Sequence, residues 1–146
     1  MTKEPKFSII IPVYNVENYL SECLESVINQ SLYDVEIICV NDGTKDRSRE
    51  ILTEYQKRDN RILIVDKENG GLSSARNARL NIATGEYVVF LDSDDYVANN
   101  ICERIYREIL EYSPEIIVFG ADSFPQYAER NPWLINNLAT GNTIYR

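Results

Sequence analysis

Short runs of branched aliphatic residues alternate with stretches whose apolar positions recur about every 3.6 residues, and this alternation organises most of the chain. Phe7–Val13 reads as a strand, after which Tyr19, Leu20, Cys23, Leu24, Val27 and Ile28 mark one face of a helix. Val35–Val40 predicts a second strand, followed by Asn-Asp-Gly-Thr and a helix turning Ile51, Leu52 and Tyr55 inward. Arg61–Asp66 predicts a third strand and Glu68-Asn-Gly-Gly a turn. Leu72, Ala75, Ala78, Ile82 and Ala83 then share a helical face, with Gly85 placed as a C-terminal cap. Glu86–Leu91 predicts a fourth strand, Ile101–Leu110 a helix stopped before Pro114, and Glu115–Gly120 a fifth strand. Near-continuous Val/Ile strands alternating with helices predict an α/β fold, a mostly parallel sheet with helices on both faces. After Gly120 the pattern dissolves, and only Trp133, Leu134, Ile135 and Leu138 keep a helical spacing. Residues 1–120 are expected to form the core and 121–146 an irregular segment, as in a chain that stops before its architecture is complete.

Composition narrows the function classes. A length of 146 residues suits one domain, and 44% hydrophobic with 26% charged residues reads as globular. A net charge of -8 argues against a general affinity for nucleic acid or anionic membrane, both of which need clustered Lys and Arg. Apolar runs such as Ile116-Ile117-Val118-Phe119 are too short to span a bilayer, and the polar start does not resemble a signal peptide. Cys23, Cys39 and Cys102 lie inside apolar patterns and read as core residues in a reducing compartment, hence a cytoplasmic chain. There is no histidine, so imidazole-based hydrolysis and His-ligated zinc are excluded within the chain.

In open parallel sheets, ligands bind beyond the carboxyl ends of the strands. The residues that follow the strands are Pro12, Tyr14 and Asn15, then Asn41, Asp42 and Gly43, then Lys67, Asn69, Gly70 and Gly71, and lastly Asp92, Ser93, Asp94 and Asp95. Polar residues thus gather on one edge. Asp92 and Asp94 are two apart and, if extended, project to the same side as hard oxygen donors suited to Mg²⁺ or Mn²⁺. Taken alone, the Asp-rich stretch reads equally well as a turn whose Asp94 or Asp95 caps the next helix. Asp42 could read a pyrimidine imide N–H, although Asn-Asp-Gly is also ordinary turn chemistry in which Thr44 or Asp46 caps a helix. Tyr14 could flank a base or be a core-edge aromatic. Arg76, a cation early in its helix, points to an anionic partner or to a surface ion pair.

Four blocks carry a resemblance: Ser-Ile-Ile-Ile-Pro-Val-Tyr-Asn (8–15), Val-Asn-Asp-Gly-Thr (40–44), Asn-Gly-Gly-Leu-Ser-Ser-Ala-Arg-Asn (69–77) and Gly-Glu-Tyr-Val-Val-Phe-Leu-Asp-Ser-Asp-Asp (85–95). In this order, over roughly residues 7–120, the chain resembles the inverting family 2 glycosyltransferases of GT-A fold. The resemblance implies a GT-A, Rossmann-like domain that binds a nucleotide-diphosphate sugar, usually a UDP-sugar, with Mn²⁺ or Mg²⁺. Pro12 and Tyr14 would line the base pocket, Asp42 would hydrogen-bond the nucleobase, and Arg76 would lie near the nucleotide. Asp92 and Asp94 would form the DxD element at ribose and metal, with Asp94 the direct ligand. Asn15, Gly71 and Ser93 complete the donor-binding positions. The family transfers sugar with inversion to a hydroxyl, here implying a carbohydrate or lipid-linked acceptor in polysaccharide or glycoconjugate biosynthesis. A carboxylate base must take the hydroxyl's proton, and it is expected beyond residue 146. Asp122 and Glu129 follow the DxD but match nothing in the family pattern, so no catalytic residue is assigned within the chain. The isolated chain is expected to turn over poorly or not at all. Attachment of the whole protein to the inner membrane face stays open. A binding domain that has lost catalysis is the alternative; a sugar nucleotidyltransferase is disfavoured, because Pro-Val-Tyr-Asn occupies the place of its Gly-rich basic loop.

Overall fold

Two runs of wholly or nearly wholly buried residues, Phe7–Val13 and Val35–Asn41, set the centre of the sheet. The computed structural model describes residues 4–70, 82–117 and 144–145. Within them the order is β1 (Phe7–Val13), α1 (Leu20–Ile28), β2 (Val35–Asn41), α2 (Ser48–Arg58), β3 (Ile62–Asp66), β4 (Tyr87–Phe90), α3 (Ile101–Tyr112), β5 (Ile116–Ile117) and β6 (Ile144–Tyr145). The chain divides into two compact units, residues 1–103 and 104–146.

The first unit holds a four-stranded sheet in the order β3-β2-β1-β4. Its strands are parallel, with Ile9 opposite Ile37 and Val89, and Ile37 opposite Ile62. Side chains alternate across a strand, so each register row has one face. The face bearing Cys39 carries α1 and α2: the Cys39 thiol feels Cys23 of α1. The Tyr55 hydroxyl of α2 donates to Glu25 Oε1 of α1 at 2.9 Å. Leu20, Cys23, Leu24 and Val27 are the buried side of α1, the spacing expected of a helix laid on a sheet. On the opposite face Ile10, Ile38 and Val40 form a cluster against which Val65, Ile82 and Ala83 pack. The sequence pattern had turned Ile82 and Ala83 inward, and they are so.

The described strand and helix runs of this unit stand close to where the pattern placed them; the helix expected around Leu72, Ala75 and Ala78 lies outside the described residues. Three details differ. Tyr19 is exposed, because the helix begins at Leu20 and Tyr19 precedes its inward stripe. Gly85 has no left-handed φ, that conformation among the described glycines belonging to Gly43 at φ 72°. What Gly85 supplies is absence of bulk: a Cβ there would stand 2.5 Å from the Ser8 nitrogen and 2.7 Å from the Phe7 carbonyl carbon. β4 ends at Phe90, so the acids after it do not continue a strand.

In the second unit, Ser113 adopts φ 48° just past α3 and donates its N–H to the Ile109 carbonyl at 2.8 Å, closing the helix before Pro114. Of the fifth strand expected over Glu115–Gly120, residues 118–120 lie outside the described residues. Ile116–Ile117 pairs antiparallel with Ile144–Tyr145, a strand the polar tail had not disclosed. A short apolar run can read as a strand without naming its pairing partner.

All three cysteines are free and buried. Among the described residues no helix is long and apolar enough to cross a membrane.

Candidate functional site

Parallel strands place four loop starts on one edge, after Val13, Asn41, Asp66 and Phe90. Beyond β4 the chain turns at once: the Asp95 N–H donates to the Asp92 carbonyl at 3.0 Å, with Ser93 and Asp94 between them. The expectation that Asp92 and Asp94 share a side through strand alternation therefore fails, since a turn has replaced the strand. The alternative of an Asp cap is not realised either, because α3 begins only at Ile101. Ser93 is buried while Asp94 and Asp95 face out.

Helix α1 holds this turn in place. Cys23 Sγ donates to the Asp92 carbonyl at 3.7 Å, and the Val97 N–H donates to Ser26 Oγ at 3.2 Å. Buried Gln30 donates to the Ala98 carbonyl at 2.8 Å and accepts the Cys102 N–H at 3.1 Å. Crowding of the acids leaves an electrostatic trace. The Asp95 carboxyl is pushed above the usual range by partial burial, then by the charges of Asp94 and Asp92. Burial first, and then the same three aspartates, push the Cys23 thiol up to about 12. A concentrated negative field backed by an uncharged thiol suits a cation.

Asp42 is the buried charge of the edge, 4% exposed just past β2. The turn after it needs Gly43, whose φ is 72° and whose absent Cβ would press on the Asn69 nitrogen at 3.1 Å. Asp42 Oδ1 accepts from the Lys67 ammonium in an ion pair whose side chains are 6% and 15% exposed. The same oxygen accepts the Gly70 N–H at 2.9 Å. Lys67 also donates to the Glu68 carbonyl at 2.7 Å, so its head group is fixed from two sides. Below this pair, Asn41 Nδ2 donates to Asp66 Oδ1 at 2.8 Å, and Arg49 of α2 donates to both Asp66 oxygens at 2.8 and 3.0 Å.

The loops after β1 and β2 are braced together. Asn15, at φ 51°, accepts the Lys45 N–H on Oδ1 at 2.8 Å and donates its own N–H to Thr44 Oγ1 at 2.9 Å. Asp46 accepts the Ser48 N–H at 2.9 Å, the Thr44 hydroxyl at 2.7 Å and the Glu17 N–H at 3.0 Å. Burial raises its carboxyl, but a bond from the Ser48 side chain, followed by these bonds, outweighs it and holds Asp46 down at about 2. Neither candidate cap sits at the N-cap of α2, which is Arg47 and makes no side-chain cap bond; Asp46, one residue earlier, accepts the Ser48 N–H.

The sheet brings Pro12, Tyr14, Asn15, Asp42, Asp92, Ser93 and Asp94 to one edge, at the ends of β1, β2 and β4. Pro12 is buried beyond the last β1–β4 pair, Ile10 with Phe90, where its missing N–H removes no ladder bond to β4. Tyr14 is 44% exposed, its ring available at the rim. Gly71 and Arg76 lie outside the described residues. Sequence reasoning missed Lys67 as the partner of Asp42. The signal was there in the register: Asn41 pairs with Asp66, which sets the next residues, Asp42 and Lys67, side by side.

Fold and edge together define an α/β domain with an acid-bearing rim at the carboxyl ends of its parallel strands. The model of glycosyl transferase family 2 matches residues 8–145, and the chain belongs to that family. It is 48% identical over 124 residues to glycosyltransferase GlyA of Streptococcus pneumoniae, covering 85% of this chain and 18% of that protein. It is 45% identical over 140 residues to the uncharacterized glycosyltransferase EpsJ of Bacillus subtilis, covering 96% of this chain and 40% of that one. Its structure matches S. aureus TarS 1–349 in complex with UDP, at TM-score 0.77 and 30% identity, over 82% of this chain and 36% of that chain. The match to TarS in complex with UDP-GlcNAc is equally close, at TM-score 0.77. The fold is GT-A, as the sequence blocks implied. The chain spans less than half the length of these relatives.

Proposed function

We propose that this chain is the donor-binding part of an inverting glycosyltransferase that takes a UDP-sugar together with Mn²⁺ or Mg²⁺. The observation that carries the reading is the pairing of a buried, acceptor-only Asp42 with an acid turn, Asp92–Asp95, whose Asp94 and Asp95 are exposed, on one edge of one sheet. Asp42 suits a nucleobase imide, which offers a buried N–H flanked by carbonyls. Tyr14 supplies a ring face beside it, and Pro12 and Asn15 shape the loop that carries that ring. Asp92 and Asp94 suit a hard divalent cation as an open site: among the described residues no cluster of three acids or thiols could close a cage, and Mg²⁺ ordinarily keeps water and phosphate oxygens. When bound, such a cation neutralises the diphosphate and eases its departure. Ser93, Gly71 and Arg76 complete the donor side. The acceptor is proposed to be a carbohydrate or lipid-linked hydroxyl, with the nucleotide drawn from the cytoplasm.

Thermal unfolding with a panel of nucleotides tests the reading, because a ligand of the native state raises its apparent stability by mass action. UDP with Mn²⁺ is expected to raise the midpoint more than UDP alone. Asp92→Ala and Asp94→Ala should each remove that extra increment. A panel in which no nucleotide moves the midpoint would overturn the proposal.

A further inference from the structure

We propose that Ser26 and Gln30 are positioning residues for the metal, a polar clamp through which α1 fixes the segment carrying Asp92 and Asp94. The inference rests on the metal reading of those acids given above and goes beyond it. From Leu91 to Asn100 the chain lies in neither helix nor strand, so no ladder sets its course. Two turn bonds bend it, from the Asp95 N–H to the Asp92 carbonyl and from the Ile101 N–H to the Ala98 carbonyl at 3.1 Å. Backbone groups that leave regular structure need partners elsewhere, and here a neighbouring helix offers them. Ser26 Oγ donates to the Cys23 carbonyl at 2.7 Å and accepts the Val97 N–H, two residues past Asp95, at 3.2 Å. Buried Gln30, four residues on, uses both ends of its amide. Its nitrogen donates to the Ser26 carbonyl at 3.0 Å and the Ala98 carbonyl at 2.8 Å, and its oxygen accepts the Cys102 N–H at 3.1 Å. That N–H belongs to the first turn of α3, where a helix has no acceptor of its own to offer. Beside them the Ser31 N–H donates to the Asn99 carbonyl at 2.7 Å.

The helix is a firm base for such a clamp. Its inner stripe, Leu20, Cys23, Leu24 and Val27, is fully buried. Acidic side chains hold a small divalent cation only where their oxygens stand at its own spacing, and groups that orient metal ligands change affinity by about 10–100-fold. The base side of the site is placed separately, since Asp42 follows directly from β2. The clamp therefore governs metal binding and spares nucleotide binding without metal. Asp92 and Tyr96 have further interactions of their own, so its removal weakens metal binding and does not abolish it.

Calorimetric titration of UDP with Mn²⁺ and with a chelator, into the chain and its variants, tests this. The readout is the ratio of the two affinities, which is the gain that metal brings. Gln30→Met, of similar size without the amide, and Ser26→Ala should each cut that gain by about threefold or more, with UDP affinity in chelator unchanged. Ser26→Thr, which keeps the hydroxyl, should retain the gain. Ser8→Ala, at the amino end of β1, loses a buried hydrogen bond and stability but should keep the gain as well. A parent without any metal gain overturns the metal reading itself and this inference with it. A parent with the gain, and folded Ser26→Ala and Gln30→Met chains that keep it, overturns the clamp alone. Ser26→Ala, the smaller change at a half-buried position, decides the matter if Gln30→Met does not fold. A gain lost equally in Ser8→Ala or Ser26→Thr, or UDP weakened equally with and without metal, would make the effect one of general packing and would also overturn the clamp.

Discussion

Strand β2 carries a carboxylate near its amino end, Glu36, and another just past its carboxyl end, Asp42. Each gathers donors from neighbouring segments, yet in different ways. Glu36 Oε1 accepts the Ser8 hydroxyl at 2.5 Å, the Thr84 N–H at 2.6 Å and the Gly85 N–H at 3.1 Å. All are neutral groups, and Gly85 is pressed so closely on β1 that no side chain fits. This end of the sheet is a fastening between β1, β2 and the start of β4. Asp42 instead takes a cation from the residue after β3 and stands on the same sheet edge as an acid turn and an exposed tyrosine. One strand therefore shows how the same functional group serves structure when its donors are local and neutral. On the proposed reading it serves a ligand when it is paired with a cation at the carboxyl edge of the sheet.

Substitutions at the two ends should separate these roles. The largest stability effect is expected from Glu36→Ala, which strands the buried Ser8 hydroxyl and takes the acceptor from the Thr84 N–H, while the Gly85 N–H keeps Ser8 Oγ at 2.8 Å; it should cost about 2–4 kcal/mol in denaturant unfolding. UDP affinity of the folded fraction should not change. Asp42→Asn keeps the shape and should instead weaken UDP by about tenfold or more. A Glu36→Ala chain that loses UDP as severely as Asp42→Asn would erase the distinction.

Gly85→Ala should cost about 1–3 kcal/mol by overpacking against the Ser8 and Phe7 backbone, again without altering nucleotide preference. A variant as stable as the parent would mean that the fastening end is looser than drawn.

The smallest effect concerns Asp46, which braces the loops on the ligand side; Asp46→Ala should cost about 1 kcal/mol at neutral pH. The folded carboxyl titrates at about 2, below the usual value of 3.8, so its contribution is present above that usual value. It is lost as pH falls toward 2. Unfolding midpoints of parent and variant should therefore differ by a constant amount above about pH 5 and converge on acidification. A gap that widened in acid would contradict the assignment.

The legible parts of the fold were those where one physical signal spoke alone. Ile9-Ile10-Ile11 and Ile37-Ile38-Cys39-Val40 are buried on both faces and announce central strands, while Leu20, Cys23, Leu24 and Val27 announce a helix laid on them. What depends on pairing was less legible. Ile116–Ile117 read as a strand, but its antiparallel partner Ile144–Tyr145 lies far along the chain in a stretch without local pattern. The gathering of Asp42, Asp92 and Asp94 at one edge followed from the strand order of a parallel sheet. The Asp92–Asp95 turn did not, because alternation was carried past Phe90, where the ladder had already ended. The bond from Lys67 to Asp42 needed the β2–β3 register, which no single segment contains.

The most direct test of the central claim is calorimetric titration of UDP into the folded chain with Mn²⁺ and with a chelator, repeated on Asp94→Ala. The account predicts that UDP binds the parent more tightly with Mn²⁺ and that the gain disappears in the variant. Equal affinity with and without metal, in a parent shown to be folded, would contradict it.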